Sequence, residues 1–199
     1  MQDIYNGYTS LLINKSRIRA HIRRKYYIKN ILRFVKGKTI DFGCGVGEVL
    51  KYLPTGSIGL DPDQSSIEYC RRKKLNVYFY DPKKDKYNFD FLKNKNFETM
   101  LLNHVLEHID SPVKVMTKIL KESKKLDLCR VIVVVPCKKG FKADQTHIKY
   151  IDNDFFENKL QTKYYKIIHK SYYPINKKFI GDLLRHQELV VVYEKVKLK

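Results

Sequence analysis

Apolar residues recur along this chain with two periods, and the switch between them marks out its elements. Over 16–36, Ile18, Ile22 and Tyr26 recur every four positions and Ile31, Leu32 and Val35 continue the stripe, the spacing of one helix face. The opposite face carries Arg17, Arg19, Arg23, Arg24, Lys25, Lys29 and Arg33, and Gly37 stands where a helix would end. Short apolar runs at 38–42, 57–60, 76–80 and 97–102 predict strands, with helical patterns at 48–53 and 64–74 between them. A polar stretch rich in lysine and aspartate fills 83–96, and 112–124 has an amphipathic helical pattern. Residues 130–135 form a β-branched run expected to be a strand buried on both faces, stopped by Pro136. Beyond it, 152–160 predicts a helix, 164–173 and 188–197 two long strands, and 175–185 a short helix.

Strands alternating with helices of these lengths predict an α/β fold with a parallel sheet and right-handed crossovers. The length of 199 residues suits one domain over 1–199. Within it, 1–37 reads as a helical segment, 38–136 as a ligand-binding core and 137–199 as an acceptor-side loop with the last two strands. No run of about eighteen apolar residues occurs, so no membrane span is expected. The first eight residues lack the apolar centre of a signal peptide, so cytoplasmic residence is expected. Cys44, Cys70, Cys129 and Cys137 form no CxxC pair and are expected to be free thiols.

The net charge of +19 is compatible with a polyanionic partner such as nucleic acid. Lysine far outnumbers arginine, however, and the basic residues run along the whole chain instead of forming one stripe. That favours a compositional origin over nucleic-acid recognition, which would use arginine forks and stacking aromatics.

The first chemical constellation is Asp41-Phe42-Gly43-Cys44-Gly45-Val46-Gly47, placed after a strand and before a helix. Glycines let the backbone turn tightly and approach a ligand closely. The GxGxG spacing differs from the GxGxxG of dinucleotide sites, where a helix start meets a pyrophosphate. An acid at Asp41 would repel a phosphate and would suit an ammonium, such as the one in S-adenosylmethionine. Asp61 ends the second strand, where a carboxylate can accept from both hydroxyls of a ribose. Pro62 would pack on the adenine, and Asp81, at the end of the third strand, would reach the adenine amino group. Ligands of open α/β sheets sit at these carboxyl ends.

With these motifs the chain resembles the class I S-adenosylmethionine-dependent methyltransferases. It is closest to the broad small-molecule group of type 11/23 that includes the ubiquinone-biosynthesis enzymes. The matching segments are TIDFGCGVGEVL, GLDPDQSSIEYC, NHVLEHIDSP and VIVVVPCKKG. The resemblance implies a Rossmann-like sheet of seven strands in the order 3-2-1-4-5-7-6, the last antiparallel, with helices on both faces. It also implies that Asp41 lies near the methionine amine, Asp61 on the ribose and Asn103-His104 along the methionine and sulfonium. The product would be S-adenosylhomocysteine.

His104, Glu107 and His108 form HxxEH, a spacing that puts three potential metal ligands on one helical face. Some ubiquinone-type O-methyltransferases resemble it with a metal-binding Glu-x-x-Glu-His. Histidine in the first position here argues against magnesium, which prefers oxygen ligands. The favoured reading is structural, with Glu107 and His108 capping a short helix and no metal expected. In the loop after the fifth strand, His147 is a candidate base for an acceptor proton and Asp144 a candidate to orient it. His108 is a third candidate catalytic residue. Tyr164, Tyr165, Tyr172 and Tyr173 either pack in the late strands or line an acceptor wall. The expected reaction is methyl transfer to a hydroxyl of a small molecule or sugar. Two alternatives stand beside it: an RNA or protein methyltransferase that uses the basic surface, and a non-catalytic cofactor-binding partner subunit.

Overall fold

The computed structural model describes residues 24–160 and 162–196 together with Gly7, Thr9 and Ser10. One sheet gathers β1 Thr39–Phe42, β2 Ile58–Asp61, β3 Val77–Phe79, β4 Thr99–Asn103, β5 Arg130–Pro136, β6 Tyr165–Tyr173 and β7 Glu188–Lys195. The order across it is β3-β2-β1-β4-β5-β7-β6, as the resemblance implied. The pairs among β1 to β5 are parallel, while β7 runs antiparallel to both β5 and β6. Residues 188–194 of β7 face residues 136–130 of β5 in unbroken register, so β7 is held along its length.

Burial follows position in the sheet. All of β1 and β2, and all of β5 beyond Arg130, are buried, whereas edge strand β6 alternates and β3 buries only Val77. Side chains point alternately to the two faces of a strand. One layer therefore takes Ile40, Met100, Val131, Val133 and Val191, and packs on Met116, Ile119 and Leu120 of the helix Pro112–Lys125. The other takes Leu101, Ile132, Val134, Val190 and Val192, and packs on Ile28, Ile31 and Val49. A third cluster seats Ile67 and Cys70 of the helix Gln64–Arg72 against Cys44, Leu50 and Val77. Asp63 starts that helix by accepting from the Ser65 and Ser66 N–H groups, and Pro112 opens the longer helix where no N–H partner is needed.

One helical expectation is corrected. Residues 48–53 form only the 3₁₀ turn Leu50–Tyr52. Pro54 explains this, because it drives Leu53 into extended backbone (φ −72°, ψ 158°) and stops a helix from growing. Of the helix expected over 16–36, residues 16–23 lie outside the described residues. The described remainder is helical through Leu32, as the π-helix Arg24–Ile28 leading into the α-helix Lys29–Leu32. The 152–160 segment is helical as expected, mainly as the π-helix Phe155–Lys159, which buries both Phe155 and Phe156. The polar 83–96 stretch contains the turn Asp90–Leu92, whose Leu92 is buried. All four cysteines are free thiols, and no helix among the described residues is long and apolar enough to cross a membrane.

Candidate active site

The carboxyl ends of β1, β2 and β3 carry the acids singled out in the sequence. Asp41 lies within β1 and is 2 % exposed. Burial, reinforced by the charge of Asp61, raises its pKa to about 7. Asp41 makes no ion pair among the described residues, so its carboxyl can receive a cationic group. After β1 the chain turns through Gly43, Gly45 and Gly47, all at positive φ. At Gly43 (φ +76°) a Cβ would sit 2.7 Å from Val105 Cγ2, so the turn needs glycine both for its backbone and for the close approach of the loop after β4.

Asp61 ties this loop down. One carboxylate oxygen accepts from the Gly45 N–H at 2.7 Å and the other from the Asp63 N–H at 2.8 Å. Burial pushes its pKa up, against those two bonds. Each carboxylate oxygen can accept more than one bond, so capacity for two ribose hydroxyls remains. Pro62 beside it is exposed. Asp81 lies two residues past the end of β3, where its Oδ1 accepts from the Lys83 and Lys84 N–H groups. Cys44 and Cys70 are neighbours behind the loop. The hydrogen bond between the thiols, then burial, pushes the Cys44 thiol far up, so it is not a nucleophile. Thr9, which no sequence motif singles out, donates to the Asp63 carboxylate at 2.6 Å and lies 3.1 Å from the Ser66 hydroxyl, at the edge of this region.

A buried carboxyl beside a glycine turn, with a second carboxylate at the next strand end, fits the ammonium and ribose of S-adenosylmethionine.

The ends of β4 and β5 hold a different constellation. Asn103 closes β4, and His104 follows at φ +58°. Both ring nitrogens of His104 are taken: Nδ1 lies 3.1 Å from Glu107 Oε1 and Nε2 lies 2.9 Å from Glu188 Oε1. Burial disfavours its charge, but the carboxylates of Glu188 and Glu107 outweigh burial and raise the ring to about 9. Glu107 is fully buried and Glu188 is 4 % exposed. The expectation that Glu107 and His108 cap a short helix is corrected, since the turn Leu106–His108 has no side-chain cap and Glu107 is the buried partner of an imidazolium. Glu188 lies 84 residues from His104 in sequence and was not found there.

His108 and His147 meet over this turn, with ring centroids 4.9 Å apart. His147 Nδ1–H donates to the Phe141 carbonyl at 2.8 Å, and His108 Nδ1–H to the Thr146 carbonyl at 3.0 Å. Carbonyls only accept, so each neutral ring carries its lone pair on Nε2. Burial holds the His147 pKa below its usual value. His147 Nε2 lies 3.9 Å from Glu107 Oε1. The 138–150 loop is clamped on by the Ile148 and Lys149 N–H groups, which donate to the Glu107 carbonyl at 2.7 and 3.0 Å. Asp144 does not set the tautomer of His147. Its Oδ1 accepts from Thr146 N–H and Oγ1–H. Among the late tyrosines, Tyr165 is structural: it is buried, and its hydroxyl donates to the Leu128 carbonyl at 2.8 Å.

The family described as a methyltransferase domain matches residues 19–170. The chain belongs to this family and is a class I S-adenosylmethionine-dependent methyltransferase. Among solved structures, a SAM-dependent methyltransferase from Archaeoglobus fulgidus is similar with TM-score 0.65 and 18 % identity, over 93 % of this chain and 99 % of that one. A putative methyltransferase from Haloferax volcanii, solved in complex with the Trm112 methyltransferase activator, has TM-score 0.65 and 11 % identity over 100 % and 98 % of the two chains. Magnesium protoporphyrin IX methyltransferase from Synechocystis PCC 6803 with bound SAH has TM-score 0.59 and 10 % identity, over 87 % of this chain and 84 % of that one. No curated protein matches the sequence.

Proposed function

We infer that this methyltransferase acts on an oxygen, a hydroxyl of a small molecule or a sugar. The observation that carries the reading is the convergence of Glu107, His108 and His147, each with a basic atom within 4.8 Å of the others, beside the donor region. A hydroxyl is a weak nucleophile until its proton begins to leave, so a neutral imidazole kept neutral by burial suits it. S-adenosylmethionine supplies a methyl group on a sulfonium, ready for in-line displacement. The rest of the rate comes from holding the acceptor in line.

On the donor side, Asp41 would bind the ammonium and Asp61 the ribose hydroxyls. Pro62 would cover the adenine, and Asp81 Oδ2 would meet its amino group. The backbone of Gly43, Cys44, Gly45 and Gly47 leaves room for the methionine portion, which Asn103 and the His104 main chain would border. The His104 side chain is committed to Glu107 and Glu188 and takes no part in this contact. His147 and His108 face the acceptor, while Asp144 shapes the loop that carries them.

Methyl transfer from labelled S-adenosylmethionine to panels of hydroxyl, amine and thiol acceptors tests the reading. Transfer to hydroxyls that falls at least about 100-fold in His147→Ala supports it. Transfer confined to amines or thiols overturns it.

The charge of +19 sustains a second acceptor class, nucleic acid. A neighbour of similar fold, the small RNA methyltransferase HEN1, has TM-score 0.61 and 16 % identity and covers 90 % of this chain but 26 % of its own. Tight RNA binding at physiological salt would favour this class, and affinity that is weak and sequence-blind there would assign the charge to composition.

A further inference from the structure

We propose that the segment joining β6 to β7 is a docking surface for an anionic lipid bilayer. The segment covers 174–187 and is built around the 3₁₀ turn Lys178–Asp182. Its apolar side chains are exposed: Ile175 by 43 %, Phe179 by 60 %, Leu183 by 63 % and Leu184 by 38 %. Phe179 and Leu183 are the two most exposed large apolar side chains among the described residues. The backbone that displays them is well held. Buried Gln187 donates from Nε2 to the carbonyls of Ile175 at 2.6 Å and Lys177 at 2.9 Å. Gly181 is packed so closely that a Cβ there would sit 2.7 Å from the Cys137 Cβ. A turn fixed from below that holds several apolar side chains in solvent marks an interaction surface.

Charge identifies the partner. The segment packs on the short helix Lys138–Lys142, where Lys139 Nζ donates to the Leu183 carbonyl at 2.8 Å and Arg185 Nη2 to the Ala143 carbonyl at 3.2 Å. Together 138–144 and 175–187 set Lys138, Lys139, Lys142, Lys177, Lys178 and Arg185 against only two acids, Asp144 and Asp182. Lys138 pairs with Asp182 at 3.2 Å, and the excess positive charge remains. Lysine is depleted in the cores of protein–protein interfaces. Leucine and isoleucine offer no flat face on which a base could stack. Lysines interleaved with exposed Phe and Leu instead suit a bilayer surface, where the apolar side chains enter the acyl boundary and the ammonium groups meet phosphate headgroups. The segment leads into Glu188, the partner of His104, and rests on the loop that carries His147. Docking would therefore hold the acceptor end of the sheet near the headgroups. Binding to the bilayer does not depend on which atom is methylated.

The test is co-sedimentation of the full chain with vesicles of phosphatidylcholine alone and of phosphatidylcholine mixed with phosphatidylglycerol. The wild type is expected to bind the mixed vesicles and not the neutral ones, and rising salt should weaken the binding. Phe179→Ser combined with Leu183→Ser should bind at least about tenfold more weakly, because two large apolar side chains no longer enter the bilayer. Lys177→Glu combined with Lys178→Glu should also lose at least about tenfold. Phe79→Ser removes an exposed ring from β3, at the opposite edge of the sheet, and should bind as the wild type does. Circular dichroism melts establish that the variants are folded, and Phe179→Ala with Leu183→Ala stands in if the serine pair is not. Absence of binding to the mixed vesicles overturns the proposal. Unchanged binding in the apolar pair assigns the attraction to net charge alone and also overturns it. Self-association that the apolar pair abolishes, without vesicle binding, assigns the surface to a second copy of the chain and overturns it as well. Vesicle binding is read without cofactor or acceptor, so its failure stays distinct from a failure of methyl transfer.

Discussion

The two halves of the site are built in different ways. The donor half takes Asp41, the glycine loop and Asp61 from one contiguous stretch spanning β1 to β2, and the two Asp61 hydrogen bonds that tie it down join residues 16 and 2 apart. The acceptor half takes His104, Glu107 and His108 from one turn, His147 from a second loop and Glu188 from the last strand. Its bonds span 38 and 84 residues. A local device can be specified by a short motif and needs only the neighbouring strand in place. A distributed one exists only when the sheet has closed, because β7 must slot between β5 and β6 before Glu188 reaches His104. The donor half should therefore tolerate changes elsewhere in the fold, whereas the acceptor half should be coupled to stability.

That contrast can be broken at four points. The largest effect is expected at His104. His104→Gln leaves Glu107 and Glu188 buried without their shared cation, and breaking a buried charge network costs about 3 kcal/mol or more. Denaturant unfolding should show the loss, and the double variant His104→Gln with Glu188→Gln should recover part of it. A loss under about 1 kcal/mol would mean that the acceptor half is no more coupled to the fold than the donor half.

Asp61→Ala comes next. It removes the acceptor for Gly45 N–H and Asp63 N–H and the proposed ribose contacts. Two charged hydrogen bonds at about 1.5 kcal/mol each correspond to roughly 100-fold weaker binding of S-adenosylhomocysteine by calorimetry. Unfolding midpoints should change much less than in His104→Gln, as expected of a local device.

The pH dependence of cofactor binding is the third. In the free protein Asp41 ionises near 7, so below that pH the site must release a proton before an ammonium binds. Affinity for S-adenosylhomocysteine should rise about tenfold per pH unit up to pH 7 and then level off. Stability of the free protein runs the other way. The folded-state pKa lies above the unfolded 3.8, so this group's contribution declines as pH rises from about 4 to 7. Asp41→Asn should bind weakly at every pH and remove both slopes. A wild-type affinity flat from pH 5 to 8 would remove Asp41 from the ammonium contact.

The smallest effect is expected at Asp144. Its partner is Thr146, not the His147 ring, so Asp144→Ala should change stability by less than about 1 kcal/mol. Methyl transfer should change far less than in His147→Ala. Comparable losses in the two variants would restore Asp144 as the residue that orients His147.

Much of the fold was legible from the order of residues alone. The runs at β1, β2, β4 and β5 are short, apolar and bounded by glycine, aspartate or proline, and strand position follows from such local signals. Residues 48–53 misled because the apolar spacing continues toward Pro54, which the pattern does not register but the backbone obeys. The 152–160 helix was legible, but its π-helical form, which buries two adjacent phenylalanines, was not, since apolar spacing does not distinguish helix types. The donor acids were found because each stands at the end of its own strand. HxxEH was visible as a motif, but the Glu188 partner of His104 was not, since spacing alone cannot tell which distant residues turn to a common point.

By itself the sequence determined the strand pattern, the glycine turn and the acids around it, because these depend on backbone sterics and on contacts within one βα unit. Tertiary structure alone decided that His104 is an imidazolium held between Glu107 and Glu188, and that His147 joins Glu107 and His108. Those pairings need chain segments tens of residues apart, and only the insertion of β7 and the folding back of the 138–150 loop bring them together.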